Sequence, residues 1–135
     1  MLSVAATVQP RIPCVASLVA IVDDDESVRE SLPELLREFG FEVQAFASAE
    51  EYLTSDCVEQ TRALLLDIAM PRMTGPELQQ ELARRGHQIP IVFITANGDE
   101  TIRPRVLAGG AVECLHKPFG EAALLRALNA ALRVG

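Results

Sequence analysis

The sequence predicts an α/β fold, a parallel sheet of five strands flanked by five helices, on three observations. Short apolar runs such as Leu18–Val22, Ala63–Leu66 and Ile89–Ile94 are continuous rather than alternating, as strands buried on both faces require. Between them lie stretches whose apolar residues recur at helical spacing. Glycine, proline and capping residues punctuate the junctions, so that strand and helix alternate along the chain.

The first strand, Leu18–Val22, is followed by Val28, Leu32, Leu35, Leu36 and Phe39 on one helical face, with Gly40 as the stop signal. Pro33 inside that helix removes a backbone donor and is expected to kink or split it. Phe41, Val43 and Ala45 alternate with polar residues and predict a second, more exposed strand. Ser48-Ala49-Glu50-Glu51 has the form of a capping box opening a short helix through Tyr52 and Leu53. The third strand, Ala63–Leu66, ends on Asp67. Thr74-Gly75-Pro76 opens the third helix, with Pro76 in the first turn and Leu78 and Leu82 on its inner stripe. Ile89–Ile94 ends on Thr95, and Ala111–Leu115 is followed by His116-Lys117-Pro118. Between these two strands, 99–108 holds Pro104 in its middle and is closed by Gly109-Gly110, which predicts either a shortened helix from near Pro104 or a kinked longer one. Leu124, Leu125, Leu128 and Leu132 make the last helix amphipathic.

A chain of 135 residues supports one domain. Its formal net charge of −7 argues against direct nucleic-acid binding by these residues, because phosphate recognition needs clustered lysine and arginine. No apolar stretch approaches the ~18 residues of a membrane span. Residues 1–17 lack a basic segment ahead of a compact apolar one, so a secretory signal fits poorly. With Pro10 and Pro13 they are expected to be a loosely ordered N-terminal extension ahead of a domain at 18–133. Cys14, Cys57 and Cys114 are odd in number and widely spaced, which suits reduced thiols and a cytoplasmic setting.

In parallel α/β sheets, ligands bind beyond the carboxyl ends of the strands. Asp23 and Asp24 follow the first strand, Asp67 the third, Thr95 the fourth and Lys117 the fifth, so all five are expected at one edge. Carboxylates gathered in a partly desolvated cleft need a cation, and Mg2+ suits carboxylates, a backbone carbonyl, waters and a phosphate oxygen. A carboxylate so placed is also a nucleophile toward phosphorus, with metal and lysine neutralising the equatorial oxygens and a threonine hydroxyl bonding one of them. Asp25, by contrast, reads as an N-cap.

The fragments VDDDE, LLLDIAMPRMTG, FITANGD and GAVECLHKPF together resemble the receiver domain of two-component response regulators, over nearly everything after the extension. That resemblance implies a flavodoxin-like, doubly wound sheet of order 2-1-3-4-5. It implies that Asp67 accepts a phosphoryl group from a sensor histidine kinase. Asp24 then matches the acid that binds Mg2+ directly, Asp23 the one acting mainly through metal-bound water, and Ala69 the donor of a backbone carbonyl. Thr95 matches the switch hydroxyl and Lys117 the lysine that contacts the phosphoryl group, with the Lys117–Pro118 bond expected cis. Such a domain assists its own phosphorylation and dephosphorylation without turning over a separate substrate. Its expected partners are the kinase and a downstream protein or output domain, with a homodimer left open.

Two departures from the family pattern bear on output. Cys114 stands at the switch position where relatives carry Tyr or Phe, and a thiol cannot sweep the volume of a ring. Pro104 interrupts the fourth helix, so that helix is expected to be distorted and output to run through 97–110. Asn97 and Ala69, flanking the phosphoryl group, offer no bulky shield against water. Two other functions fit parts of the sequence. Asp23-Asp24-Asp25-Glu26-Ser27 matches the D-x-D-x-[ST] pattern of haloacid-dehalogenase-like phosphatases, with Asp23 as nucleophile, although no later acidic pair follows the lysine. A phosphorylation-independent interaction module would keep the fold without the chemistry.

Overall fold

The structure, a computed structural model, describes residues 18–96 and 101–134. The expected N-terminal extension, and Asn97 with it, lie outside the described residues. Five strands, β1 (Leu18–Val22), β2 (Glu42–Phe46), β3 (Ala63–Asp67), β4 (Ile91–Thr95) and β5 (Glu113–His116), form one parallel sheet of order β2-β1-β3-β4-β5. This is the flavodoxin-like 2-1-3-4-5 order. The helices are α1 (Glu26–Glu38), α2 (Ala49–Leu53), α3 (Gly75–Arg84), α4 (Ile102–Ala108) and α5 (Glu121–Val134).

Strand residues alternate between two apolar layers, as the pleat dictates. Ala20, Val22, Leu64, Leu66 and Phe93 pack with Tyr52 of α2, Leu78 and Leu82 of α3 and Val106 of α4. Val19, Ile21, Leu65, Val92 and Ile94 pack with Leu32 and Leu36 of α1 and Leu124 and Leu128 of α5. β1, β3 and β4 are buried along their whole length, which is why their sequences are continuous apolar runs.

Some elements differ from the sequence expectation, while the Gly40 stop, the short α4 and the cis Lys117–Pro118 bond meet it. α1 runs through Pro33 as a single helix of 13 residues. Leu32 and Leu36, buried on either side of the proline, hold both halves against the sheet, and that packing outweighs the lost hydrogen bond. Gly40 ends the helix at φ 92°, a conformation that favours glycine. At α2, Ser48 Oγ accepts from the Glu51 amide, but the Glu51 carboxylate accepts from Ala47 rather than Ser48. The complete capping box is at α3, where Thr74 and Glu77 satisfy each other's amides. β4 starts after Pro90, which has no amide for the ladder. β5 starts late because the Ala111 amide turns back to the Val106 carbonyl at 3.0 Å. α4 is a short helix of seven residues whose third residue is Pro104, in the first turn where helix amides lack intrahelical partners anyway. The Lys117–Pro118 bond is cis.

Candidate functional site

Strand register builds the site as a staircase. Val22 lies opposite Leu66, so Asp23 and Asp67 follow at the same level. Asp67 lies opposite Ile94, and Thr95, one step further, lies opposite His116, directly before Lys117. The Lys117 amide donates to the Thr95 carbonyl at 2.8 Å and tethers that last step. All five polar residues therefore reach the carboxyl edge, with the three acids at the β1–β3 boundary where the sheet order reverses.

Asp23, Asp24 and Asp67 each bring a carboxylate oxygen within 4.8 Å of the others. Asp23 and Asp67 are buried while Asp24 is exposed, so the cluster is open to water on one side. Burial first, and then the charge of Asp23, push the Asp67 carboxyl up to about 7, while Lys117 pulls it down. Lys117 Nζ sits 3.2 Å from Asp23 Oδ2, pairing the most buried acid with the one ammonium at this edge among the described residues. Thr95 is buried at the end of β4. Ala69 is exposed on the loop two residues beyond Asp67. The donor set is oxygen only, which suits a hard divalent cation and not a thiolate- or imidazole-seeking metal.

Asp25 does different work. Its carboxylate accepts from the Ser27 amide at 2.9 Å and from Ser27 Oγ at 2.8 Å, capping α1, and these bonds hold its carboxyl below the usual range. The acidic run thus divides into two site acids and one cap.

Gly75 was legible only as a helix opener, but it also shapes the site. Its amide bonds the Ile68 carbonyl at 2.9 Å, and a Cβ there would lie 2.3 Å from the Asp67 carbonyl oxygen. The loop after β3 folds back this closely because residue 75 has no side chain. The only signal in the sequence was a glycine placed where α3 needs no turn. Across the same loop Arg72, at φ 66°, brings its guanidinium 3.8 Å from Glu50 of α2.

Cys114 is buried on β5, opposite Phe93 of β4, and burial raises its thiol. Its amide donates to the Glu113 carboxylate, which also accepts from Arg103 of α4 at 2.6 Å. This ion pair ties the short α4 to β5 beside the cysteine.

Residues 19–129 match the family described as response regulator receiver domain. The chain is 46% identical over 115 residues to nodulation protein W of Bradyrhizobium diazoefficiens, covering 85% of this chain and 51% of that protein. It is 40% identical over 119 residues to response regulator protein TodT of Pseudomonas putida, covering 88% and 52%. Among solved structures, response regulator StyR superposes with TM-score 0.80 at 47% identity, over 87% of this chain and 60% of that one. The FixJ-N structure superposes with TM-score 0.79 at 35% identity, over 87% and 94%. The chain spans about half the length of the curated relatives it matches.

Proposed function

The chain belongs to the family of response regulator receiver domains, and on that premise we propose that residues 18–133 act as a phosphorylation switch with Asp67 as phosphoacceptor. One observation carries this reading: register and burial bring Asp23, Asp24 and Asp67 together, with Lys117 and Thr95 on the next strand ends.

In the proposed reaction, an Asp67 Oδ attacks the phosphorus of a phosphohistidine on a sensor histidine kinase. An O–P bond forms as the N–P bond breaks, and the departing imidazole nitrogen keeps the electron pair and takes up a proton. Asp24, Asp67 and the Ala69 carbonyl are the residues that would hold Mg2+ directly, and Asp23 mainly through bound water. When bound, the ion offsets the repulsion among the carboxylates and the negative charge of the incoming phosphoryl oxygens. The Lys117 ammonium has three donors, so it can keep Asp23 while bonding a phosphoryl oxygen. Thr95, buried one residue beyond the Asp67–Ile94 pair, would bond another through its hydroxyl. Ionised Asp67 is the nucleophile, and both cations favour that form.

Asp67 suits the nucleophile better than Asp23. Asp23 is fully buried, and its two oxygens already accept from the Asp25 amide and from Lys117. This favours the receiver chemistry over a phosphatase using Asp23. The domain assists only its own phosphorylation and hydrolysis, and passes the signal to a downstream protein or output domain. With Pro104 shortening α4 and Cys114 replacing a ring, that signal runs through 97–110.

The test is labelling with acetyl phosphate, with and without Mg2+, followed by peptide mapping. Wild type is expected to carry label on Asp67 only with Mg2+, and Asp67→Asn none. Label on Asp23 with Asp67 unmodified would sink this reading, and absence of both labelling and Mg2+ binding would leave an interaction module.

A further inference from the structure

We propose that Arg29, on the second turn of α1, is a positioning residue for the acidic pair that precedes the helix. Its Nη1 donates to the backbone carbonyl of Asp23 at 3.0 Å, six residues back along the chain. Helical side chains lean toward the N-terminus, so an arginine one turn inside α1 reaches the connection from β1.

That bond completes the anchoring of Asp23. Its amide donates to the Phe46 carbonyl at 3.1 Å, its Oδ1 accepts from the Asp25 amide at 2.9 Å, and its Oδ2 accepts from Lys117 at 3.2 Å. The carbonyl held by Arg29 belongs to the peptide unit joining Asp23 to Asp24. Rotation of that unit would swing Asp24 away from Asp23 and Asp67. Asp24 is the exposed member of the three, so little packing holds it, and its side-chain bond to Asp67 depends on where its backbone aims it. The fold has other supports at this point. β1 is held by ladders on both sides, and α1 is capped by Asp25 through Ser27. What the Arg29 bond adds is the aim of Asp24.

The proposal rests on the receiver reading of this site, in which Asp24 holds the divalent ion. Bonds that orient a metal ligand without touching the metal affect affinity by roughly 10–100-fold. The experiment measures Mn2+ binding to the unphosphorylated chain by electron paramagnetic resonance, with Mg2+ as competitor. It compares wild type, Arg29→Met and Arg29→Lys, each checked for folding by circular dichroism and urea titration in EDTA. Methionine keeps the aliphatic length and loses the donors, and lysine restores a donor group and the charge. Arg29→Met is expected to bind Mn2+ roughly tenfold more weakly, with Arg29→Lys recovering most of the loss. A role in stability alone would lower the urea midpoint and leave the Mn2+ affinity of the folded protein unmoved. Wild-type affinity in folded Arg29→Met, or no recovery in Arg29→Lys, overturns the proposal. If wild type itself binds neither Mn2+ nor Mg2+, the receiver reading of the metal site falls instead.

Discussion

Asp67→Asn is expected to make the metal-free protein more stable at pH 8, and to do so by a smaller margin at pH 5. In the unfolded chain the carboxyl titrates near 3.8, whereas in the folded site burial and Asp23 raise it to about 7. A folded-state value above the unfolded one means that the native protein holds its proton more tightly. The stability this brings is complete below about pH 4 and is lost as pH rises through about 7. At about 1.4 kcal/mol per pH unit, the full displacement sets a ceiling of about 4 kcal/mol. The cluster is open to water at Asp24, which weakens the field, and part of the loss has already occurred by pH 5. The expected loss between pH 5 and pH 8 is therefore ~1–2 kcal/mol in wild type. Asparagine fills the same space without titrating and should show little of it. Urea denaturation in EDTA at the two pH values, on both proteins, measures the difference. Adding Mg2+ at pH 8 should then stabilise wild type by mass action and the variant much less. Equal pH dependence in the two proteins, or a less stable asparagine variant at pH 8, would refute the electrostatic account of the site.

Gly75→Ala should destabilise by about 1–3 kcal/mol, because its methyl group would lie 2.3 Å from the Asp67 carbonyl oxygen and must displace the loop or β3; a change in the urea midpoint within error would contradict the close approach. Lys117→Met leaves Asp23 buried without its ammonium and should lower metal-free stability by about 2 kcal/mol at pH 8, with Mg2+ offsetting part of the loss; equal stability in EDTA would mean that the pair contributes nothing. Tyr52→Phe removes the buried hydrogen bond to Thr61 Oγ1 at 2.8 Å while Thr61 still donates to the Cys57 carbonyl, so about 1 kcal/mol is expected in thermal or urea unfolding. α4 has seven residues and a single buried one, Val106, so it belongs to the low-stability end of the molecule; hydrogen exchange should change across 97–110 on adding Mg2+ and beryllofluoride, and an unchanged segment would redirect the output path elsewhere.

Much of this was written in local chemistry. Continuous apolar runs named β1, β3 and β4, because a strand buried on both faces admits polar residues only at its end, as with Asp67 and Thr95. The acids and the threonine were legible because they come at the ends of such runs, and the lysine because it follows the last strand; a parallel sheet sends all those ends to one edge. Asp25 was readable as a cap from its place before α1. Pro33 misled for the same reason that these signals worked. A proline's missing donor is a local property, but whether a helix survives it depends on what its neighbours pack against, and Leu32 and Leu36 pack against the sheet.

Residue type and spacing by themselves determined the class of fold, the edge at which function gathers and the chemistry available there. Tertiary structure alone decided how those groups are shared out. Lys117 meets Asp23 across 94 residues of chain, Asp24 stays exposed while Asp23 is buried, Gly75 lets a loop close on Asp67, and Arg29 reaches back to the Asp23 carbonyl. Each depends on strand register and side-chain reach within one packed sheet, and a distance between residues far apart in sequence exists only once the chain has folded.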